Sequence, residues 1–209
     1  MSAGAAELER GRESYSTRAW ADAYESLSRA DQLMSLGADD LELLARSAYI
    51  LGSDDTYRSG LERAHQLHLD AGDAPRAARS AFWIGHNLLF RGETARVSGW
   101  FARAQRVLAR EKRDCAEHGY LLIPFWLQQM AAGDYESGYE TAAEAARIGH
   151  RFGDADLVWL ALDEQARALV NQGRVEEGLG PARHGRVQRP LSRAPRGDHA
   201  TAGCVDRSV

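Results

Sequence analysis

The chain has 209 residues, of which 44% are hydrophobic and 27% are charged, and this composition fits a globular protein with a core of its own. No segment approaches the roughly 18 apolar residues that a membrane span needs, and the N-terminus lacks the features of a secretion signal. Cys115 and Cys204 show no metal-ligand spacing, so we expect no disulfide framework, no metal and no cofactor, and we predict a cytoplasmic protein.

Charge divides the chain near Gly180. Residues 181–209 hold six arginines against Asp198 and Asp206, whereas the rest has 20 basic and 28 acidic residues. Because phosphate-backbone binding needs clustered positive charge, the acidic body argues against direct binding of nucleic acid.

Helical periodicity runs from about residue 5 to 179, and no run of alternating β-branched residues interrupts it. The periodicity predicts an all-α fold of paired helices. First helices are expected at 5–16, 40–51, 74–91, 115–132 and 155–172, and second helices at 19–36, 55–71, 94–111 and 135–152.

Glycines mark the predicted turns. Four glycines should each end a first helix in the left-handed conformation. They are Gly52, Gly92, Gly133 and Gly173, and each lies seven positions after an anchor of the repeat that is described below. Between hairpins, a helix-ending glycine should precede a capping carboxylate, as in Gly37 with Asp39, Gly72 with Asp73 and Gly153 with Asp154. Asp114 should cap the next helix in the same way.

The helices repeat at an interval of close to forty residues. Each copy has an anchor, mostly a small residue, and a second apolar stripe that begins twelve positions later. The anchors are Gly11, Ala45, Gly85, Trp126 and Ala166, and their partners are Ala23, Tyr57, Val97, Gly138 and Gly178. Small side chains let two helices approach closely, so the pattern predicts stacked helical hairpins in an α-solenoid.

The fourth copy is irregular, since its anchor is Trp126 and Pro124 lies two residues earlier. Proline removes one helical hydrogen bond, so we expect a kink there. The surrounding stretch 120–127 is apolar on all sides of the predicted helix, which therefore should be covered on both sides.

The third copy, Ala81-Phe82-Trp83-Ile84-Gly85 followed by Gly92, Val97, Phe101 and Ala104, resembles a tetratricopeptide (TPR) repeat. The resemblance implies a right-handed superhelix of stacked hairpins, here with about 4.5 repeats over residues 1–180. Through the lengthened period, and through segments such as Phe152-Gly153-Asp154-Ala155-Asp156, the chain also resembles the helical sensor region of actinobacterial LuxR-type transcriptional regulators. That family's phosphate loop and DNA-binding helix-turn-helix are not recognisable in this sequence.

Periodicity stops inside the fifth copy, where Gly180-Pro181-Ala182-Arg183 replaces the expected second helix. Residues 181–209 are predicted to be either a disordered basic tail or the out-of-frame end of a longer regulator. Loss of the second helix should expose Leu162, Leu169 and Val170 on the preceding helix. We therefore expect a homo-oligomer that forms through this end.

Candidate chemistry is sparse. His65 and His68 share one helix face, but no third metal ligand accompanies them, so we expect them to be exposed or at the core boundary. Paired acids such as Asp54 and Asp55 fall at helix starts, where capping explains them. No arrangement of nucleophile and base is present, so we predict that the chain is not an enzyme.

In TPR folds, first helices line a concave groove, and the resemblance implies that positions three before and one after each anchor point into it. These residues are Glu42, Arg46, Phe82, His86, Ile123, Leu127, Asp163 and Arg167. Such a groove would suit an amphipathic peptide, with Arg46 and Arg167 placed to hold carboxylates. The sequence thus predicts a scaffold for a protein or peptide partner, or for effector sensing. The alternative is a small-molecule site around Phe82, His86 and Ile123.

Overall fold

The computed structural model describes residues 2–184 and 204–206. Within them the chain is almost entirely helical. The helices are α1 (Ala3–Ser16), α2 (Trp20–Leu33), α3 (Ala38–Ile50), α4 (Asp54–Asp70), α5 (Ala74–Phe90), α6 (Thr94–Leu108), α7 (Glu117–Tyr120), α8 (Ile123–Ala131), α9 (Tyr135–Phe152), α10 (Ala155–Asn171) and α11 (Val175–His184). Two three-residue strands, β1 (Arg113–Cys115) and β2 (Cys204–Asp206), pair antiparallel. No described helix is both long and apolar enough to cross a bilayer.

The chain forms two compact units, Met1–Arg110 and Glu111–Val209. In the first unit α1 pairs with α2, α3 with α4 and α5 with α6, and α2 and α4 each pack on the following hairpin. In the second unit α7, α8 and α10 pack on α9, and α11 packs on α10. The predicted all-α fold of helical hairpins is confirmed.

Small anchor residues permit the close pairing of helices within a hairpin. A Cβ atom on Gly11 would lie 2.7 Å from Cγ of Leu27, and one on Gly85 would lie 2.8 Å from the ring of Phe101. Since real Cβ contacts are longer than this, the second helix of each of these two hairpins occupies the space that glycine leaves free. The structure thus explains the small anchors of the sequence repeat.

Most helices begin and end at the predicted capping residues and glycines. Gly52, Gly92, Gly133 and Gly173 all have positive φ, between 72° and 83°, and end their helices as expected. The carboxylates of Asp73 and Asp154 accept hydrogen bonds from the backbone N–H groups of Arg76 and Leu157 at 3.2 Å and 2.9 Å, which confirms both caps.

Two predicted turns were wrong. Gly37 has a φ of −73° and is itself the N-cap of α3, which puts Asp39 inside the first turn of the helix. Asp114 lies in strand β1, so α7 begins at Glu117 with Ala116 before it. Glycine and aspartate occur both at helix ends and in extended connections, so the sequence does not distinguish the two cases. In the structure, Gly37 and Asp114 both have extended backbones.

The fourth first helix is broken where a kink was predicted. Instead of one helix over 115–132, α7 ends at Tyr120 and α8 begins at Ile123, with Pro124 in its first turn. Proline is tolerated in a first turn because the N–H group that it lacks would have no helical partner there. The first helix is therefore interrupted before Pro124, and it is not one continuous helix that bends at this residue.

The expected loss of the last second helix was wrong for residues 175–184, which form α11. Gly178 allows this packing, because a Cβ there would lie 2.8 Å from the carbonyl oxygen of Ala166. Of the face that we expected to be exposed, Leu169 is buried, Leu162 is half-buried and Val170 is 40% exposed. Most of the predicted tail lies outside the described residues, and oligomerisation through this end stays a prediction.

Candidate functional site

The best candidate surface in the first unit is formed by its first helices, α3 and α5. Four of the predicted groove residues lie there, and the structure gives them different roles. Glu42 and Arg46 are on α3, and Phe82 and His86 are on α5.

Glu42 holds three helices together. Its Oε1 atom accepts a hydrogen bond from Nε2 of His68 at 2.9 Å and lies 3.3 Å from Nη2 of Arg76. Its Oε2 atom lies 4.0 Å from Nη2 of Arg46. The carboxylate of Glu42 is thus already occupied by contacts from α4 and α5, which makes it a structural anchor at the edge of the surface.

The ionisation of Glu42 reflects this setting. Burial alone would raise the pKa of the carboxyl group. The hydrogen bond from His68 and the charges of Arg76 and Arg46 outweigh burial and lower the pKa to about 2. Glu42 is therefore ionised at neutral pH, and it holds Arg46, which is 29% exposed, beside the surface.

His68 and His65 are buried, which corrects the expectation that they lie at or near the surface. The two residues are 3% and 2% exposed. Nδ1 of His65 lies 2.7 Å from the carbonyl oxygen of Ala77, while His68 contacts Glu42 as described. Each imidazole links α4 to a neighbouring helix, and no group of side chains suited to a metal ion occurs in the described part of the chain.

Phe82 packs against the second helix of its own hairpin. It is fully buried and stacks on Phe101 of α6, with ring centroids 5.7 Å apart and planes 26° apart. Ile123, in the second unit, is also buried, at 1% exposed. Both side chains are thus packed inside the protein, and a contact of Phe82 or Ile123 with a ligand stays a prediction.

Aromatic rings next to Phe82 do reach the surface. His86 packs edge-on against Trp83 at 5.3 Å and against Phe90 at 4.9 Å between ring centroids. Phe90 is 71% exposed. A row of three rings therefore runs along α5 from the partly buried Trp83 to the solvent-exposed Phe90.

Tyr49 extends this surface onto α3, where it is 57% exposed and packs against Tyr57 with ring centroids 5.1 Å apart. The Tyr57 hydroxyl donates a long hydrogen bond of 3.5 Å to the backbone carbonyl of Trp83, and burial raises the pKa of Tyr57 above its usual range. We call the set Arg46, Tyr49, Trp83, His86 and Phe90 the aromatic face.

The sequence contained the signal for the three residues of this face that the prediction missed. Tyr49 lies four residues after Ala45, and Trp83 and Phe90 lie two before and five after Gly85. At about 100° per residue, these offsets fall in the same sector of about 120° as the two positions that were used. The prediction considered only two positions on each first helix, and it therefore omitted Tyr49, Trp83 and Phe90.

The four predicted groove residues of the second unit lie on α8 and α10. Asp163 is exposed and Leu127 is half-buried. The Arg167 guanidinium lies 4.9 Å from the centroid of the Trp126 ring and donates a hydrogen bond of 3.0 Å to Glu164. Arg167 is thus held by its own helix and by the fourth anchor of the repeat.

Glu164 was not singled out in the sequence, yet it has an unusual environment. It is only 3% exposed, and burial raises its pKa to about 7 although the charge of Arg167 opposes this rise. The sequence around Glu164 contains no local signal of this burial, because packing decides which neighbouring side chains cover the carboxyl group.

Two surface clefts accompany these features. One, of about 410 Å³, lies among α1, α3, α4 and α5 and contains the ion pairs of Arg12 with Asp40 and of Arg76 with Asp39. The other, of about 380 Å³, lies on α6. None of the eight predicted groove residues lines either of these two clefts, and the alternative of a small-molecule site around Phe82, His86 and Ile123 stays a prediction.

Repeated helical hairpins with glycine turns and small anchors define the chain as a TPR-like helical-repeat protein. No protein-family model matches it, and no curated protein is detectably similar in sequence. Among solved structures, it is similar to the Rap conjugation gene regulator of plasmid pLS20 in complex with the Phr* peptide. That match has a TM-score of 0.61 and 17% identity, and it covers 85% of this chain and 53% of the other.

The chain is also similar to the apo form of RapI, with a TM-score of 0.59 and 13% identity over 86% of this chain and 52% of RapI. A variant of the Podosopora anserina putative kinesin light chain with nearly identical TPR-like repeats matches with a TM-score of 0.51 and 17% identity over 89% of this chain and 95% of its own. The chain thus spans about half the length of the two Rap proteins. At such identities the likeness is one of fold.

Proposed function

We propose that the protein is a non-enzymatic scaffold that binds a peptide segment of a partner protein on the aromatic face of its first unit. The observation that carries this proposal is the exposure of Phe90, at 71%, at the end of a packed row of rings. A large aromatic ring on a monomer surface costs free energy in water unless a partner covers it. Ordered aromatic side chains are also the residues in which interface binding energy concentrates.

The chemistry of the face suggests the kind of peptide. Phe90 and Tyr49 offer apolar area, with their ring positions restricted by His86 and Tyr57. Arg46 offers a cation that can form a paired hydrogen bond with a carboxylate. The fitting ligand therefore has an apolar side chain next to an acidic residue or a terminal carboxylate. The Rap regulator with its bound Phr* peptide is a protein of similar fold that binds a peptide, which supports this class of ligand.

We further propose that the chain is the sensor region of a cytoplasmic LuxR-type transcriptional regulator. This finer assignment rests on the sequence resemblance, and the fold is compatible with it. If residues after 180 are out of frame, sequencing of the locus will reveal codons for a further repeat and a helix-turn-helix downstream. An uninterrupted frame without such codons would contradict the frameshift but leave peptide binding unaffected.

A random-peptide display library, selected on the purified protein, tests peptide binding. The enriched peptides should share an apolar and an acidic position, and their affinity should fall by about tenfold or more in Phe90→Ser and in Arg46→Glu. Leu33→Ser is the matched control, since Leu33 is 59% exposed on α2 and outside the aromatic face. Failure to enrich any peptide, or equal losses in the control, would refute the proposal.

A further inference from the structure

Helix α6 carries a second surface, distinct in chemistry from the aromatic face. Arg96, Gly99, Trp100, Arg103 and Arg106 line the cleft of about 380 Å³. Their spacing in the sequence puts them on one side of the helix. At a rise of 1.5 Å per residue, the arginines extend over about 15 Å of the helix. We call these five residues the arginine face.

The Trp100 ring is fixed from two sides. It packs nearly perpendicular to the ring of His65 on α4, with centroids 5.7 Å apart and planes 81° apart. The guanidinium carbon of Arg103 lies 5.1 Å from the Trp100 centroid, over the ring. The indole thus orders the arginine, and the arginine covers one face of the indole.

Charge in the first unit is segregated along the chain. Residues 1–73 contain seven arginines and 14 acids, for a net charge of −7, whereas residues 74–110 contain seven arginines and one acid, Glu93, for a net charge of +6. Glu93 is shared by Arg96, Arg91 and Arg58. Among the described residues, no carboxylate lies within ion-pair distance of Arg103 or Arg106. Positive charge on this surface is therefore only partly neutralised.

Gly99 leaves an opening between Arg96 and Arg103. A Cβ atom at this position would meet no heavy atom within 4 Å, so close packing inside the protein does not explain the glycine. Glycine in an exposed helix interior costs about 1 kcal/mol relative to alanine. The missing side chain gives another chain access to the side of α6 between the arginines.

We propose that the arginine face binds an acidic α-helical segment of a partner protein. Carboxylates repeated along one side of such a helix match the spacing of Arg96, Arg103 and Arg106, and the gap at Gly99 admits an apolar side chain beside Trp100. Nucleic acid fits less well, because Arg103 covers one face of the indole and so reduces the ring area on which a base could stack. The acidic charge of residues 1–73 in the same unit also disfavours a long polyanion.

The test uses a fluorescein-labelled amphipathic peptide with glutamates at i, i+4, i+7 and i+11 and leucines between them, followed by fluorescence anisotropy. We expect the double variant Arg103→Glu/Arg106→Glu to weaken binding by about tenfold or more. The charge-matched control Arg29→Glu/Arg63→Glu alters two arginines of α2 and α4 that already pair with Glu25 and Asp31, and it should change affinity by less than about twofold.

Gly99→Met separates binding from folding. The side chain fills the opening without meeting a neighbour, so helix content and thermal stability should be retained while peptide affinity falls. Three results would overturn the proposal: no binding of the peptide by the wild type, unchanged affinity in Gly99→Met, or tighter binding of a DNA oligonucleotide of equal charge. Self-association that is lost in Arg103→Glu/Arg106→Glu would overturn it too, because a second copy of the chain would then occupy the face. None of these results bears on the aromatic face, whose variants are tested separately.

Discussion

Replacement of Glu42 by glutamine tests whether this carboxylate joins α3, α4 and α5 as described. Its pKa falls from 4.5 to about 2 in the folded protein. A difference of one in pKa corresponds to about 1.4 kcal/mol, so the ionised carboxylate contributes about 3 kcal/mol to stability at neutral pH. Glutamine can still accept the hydrogen bond of His68 but cannot attract Arg76, so we expect Glu42→Gln to lower the free energy of unfolding by about 2–3 kcal/mol.

The stabilisation by the Glu42 carboxylate must decrease as the pH is lowered. Because the folded pKa of Glu42 is below the unfolded value, the stabilisation is fully present above 4.5 and is lost as pH falls toward 2. The difference between wild type and Glu42→Gln should therefore be largest at neutral pH and shrink in acid.

Urea denaturation followed by far-UV circular dichroism at several pH values measures this difference. Glu25→Gln is the control, since Glu25 is 61% exposed and pairs with Arg29, and exposed pairs contribute less than about 1 kcal/mol. A loss in Glu42→Gln that is no larger than in the control, or one that persists unchanged in acid, would refute the proposed role of the carboxylate.

Further expected outcomes concern the second unit and two glycines. Because the folded pKa of Glu164 is raised to about 7, wild-type stability should fall as pH rises from 4.5 through 7, and Glu164→Gln should be more stable by up to about 3 kcal/mol near pH 8. Melting temperatures of both proteins near pH 5 and pH 8 check this, and equal pH dependence would contradict it. Gly85→Ala should cost about 1–2 kcal/mol, since the new Cβ would lie 2.8 Å from the Phe101 ring. Gly99→Ala should instead stabilise by up to about 1 kcal/mol, and chemical denaturation that shifts both variants the same way would show the packing argument to be wrong.

The helices were largely predictable because apolar periodicity and glycine turns are local properties of the sequence. The predicted helix over 135–152 is α9, Tyr135–Phe152, and the predicted 74–91 is α5, Ala74–Phe90. Gly37 shows the limit of local signals, since the same residue type can end one helix or begin the next. Pro124 likewise signalled an interruption, but where the helix breaks depends on where proline is tolerated.

Candidate site residues were harder to predict because burial depends on helix pairing. His65 and His68 are in contact with Ala77 and Glu42, which lie 12 and 26 residues away. We predicted that Phe82 lines the groove because it lies three residues before the anchor Gly85. That spacing specifies the direction of the side chain around the helix, but not how deeply the ring is buried. Phe90, at the same side of α5 but at its end, remains accessible.

Photo-crosslinking from position 90 shows directly whether a peptide binds on the aromatic face. Benzoylphenylalanine replaces Phe90 in one protein and Leu33 in another, and each is irradiated with a peptide selected from the display library. We expect a crosslink from position 90 that unlabelled peptide competes away, and none from position 33. Equal crosslinking from both positions, or none from position 90, would contradict peptide binding on the aromatic face.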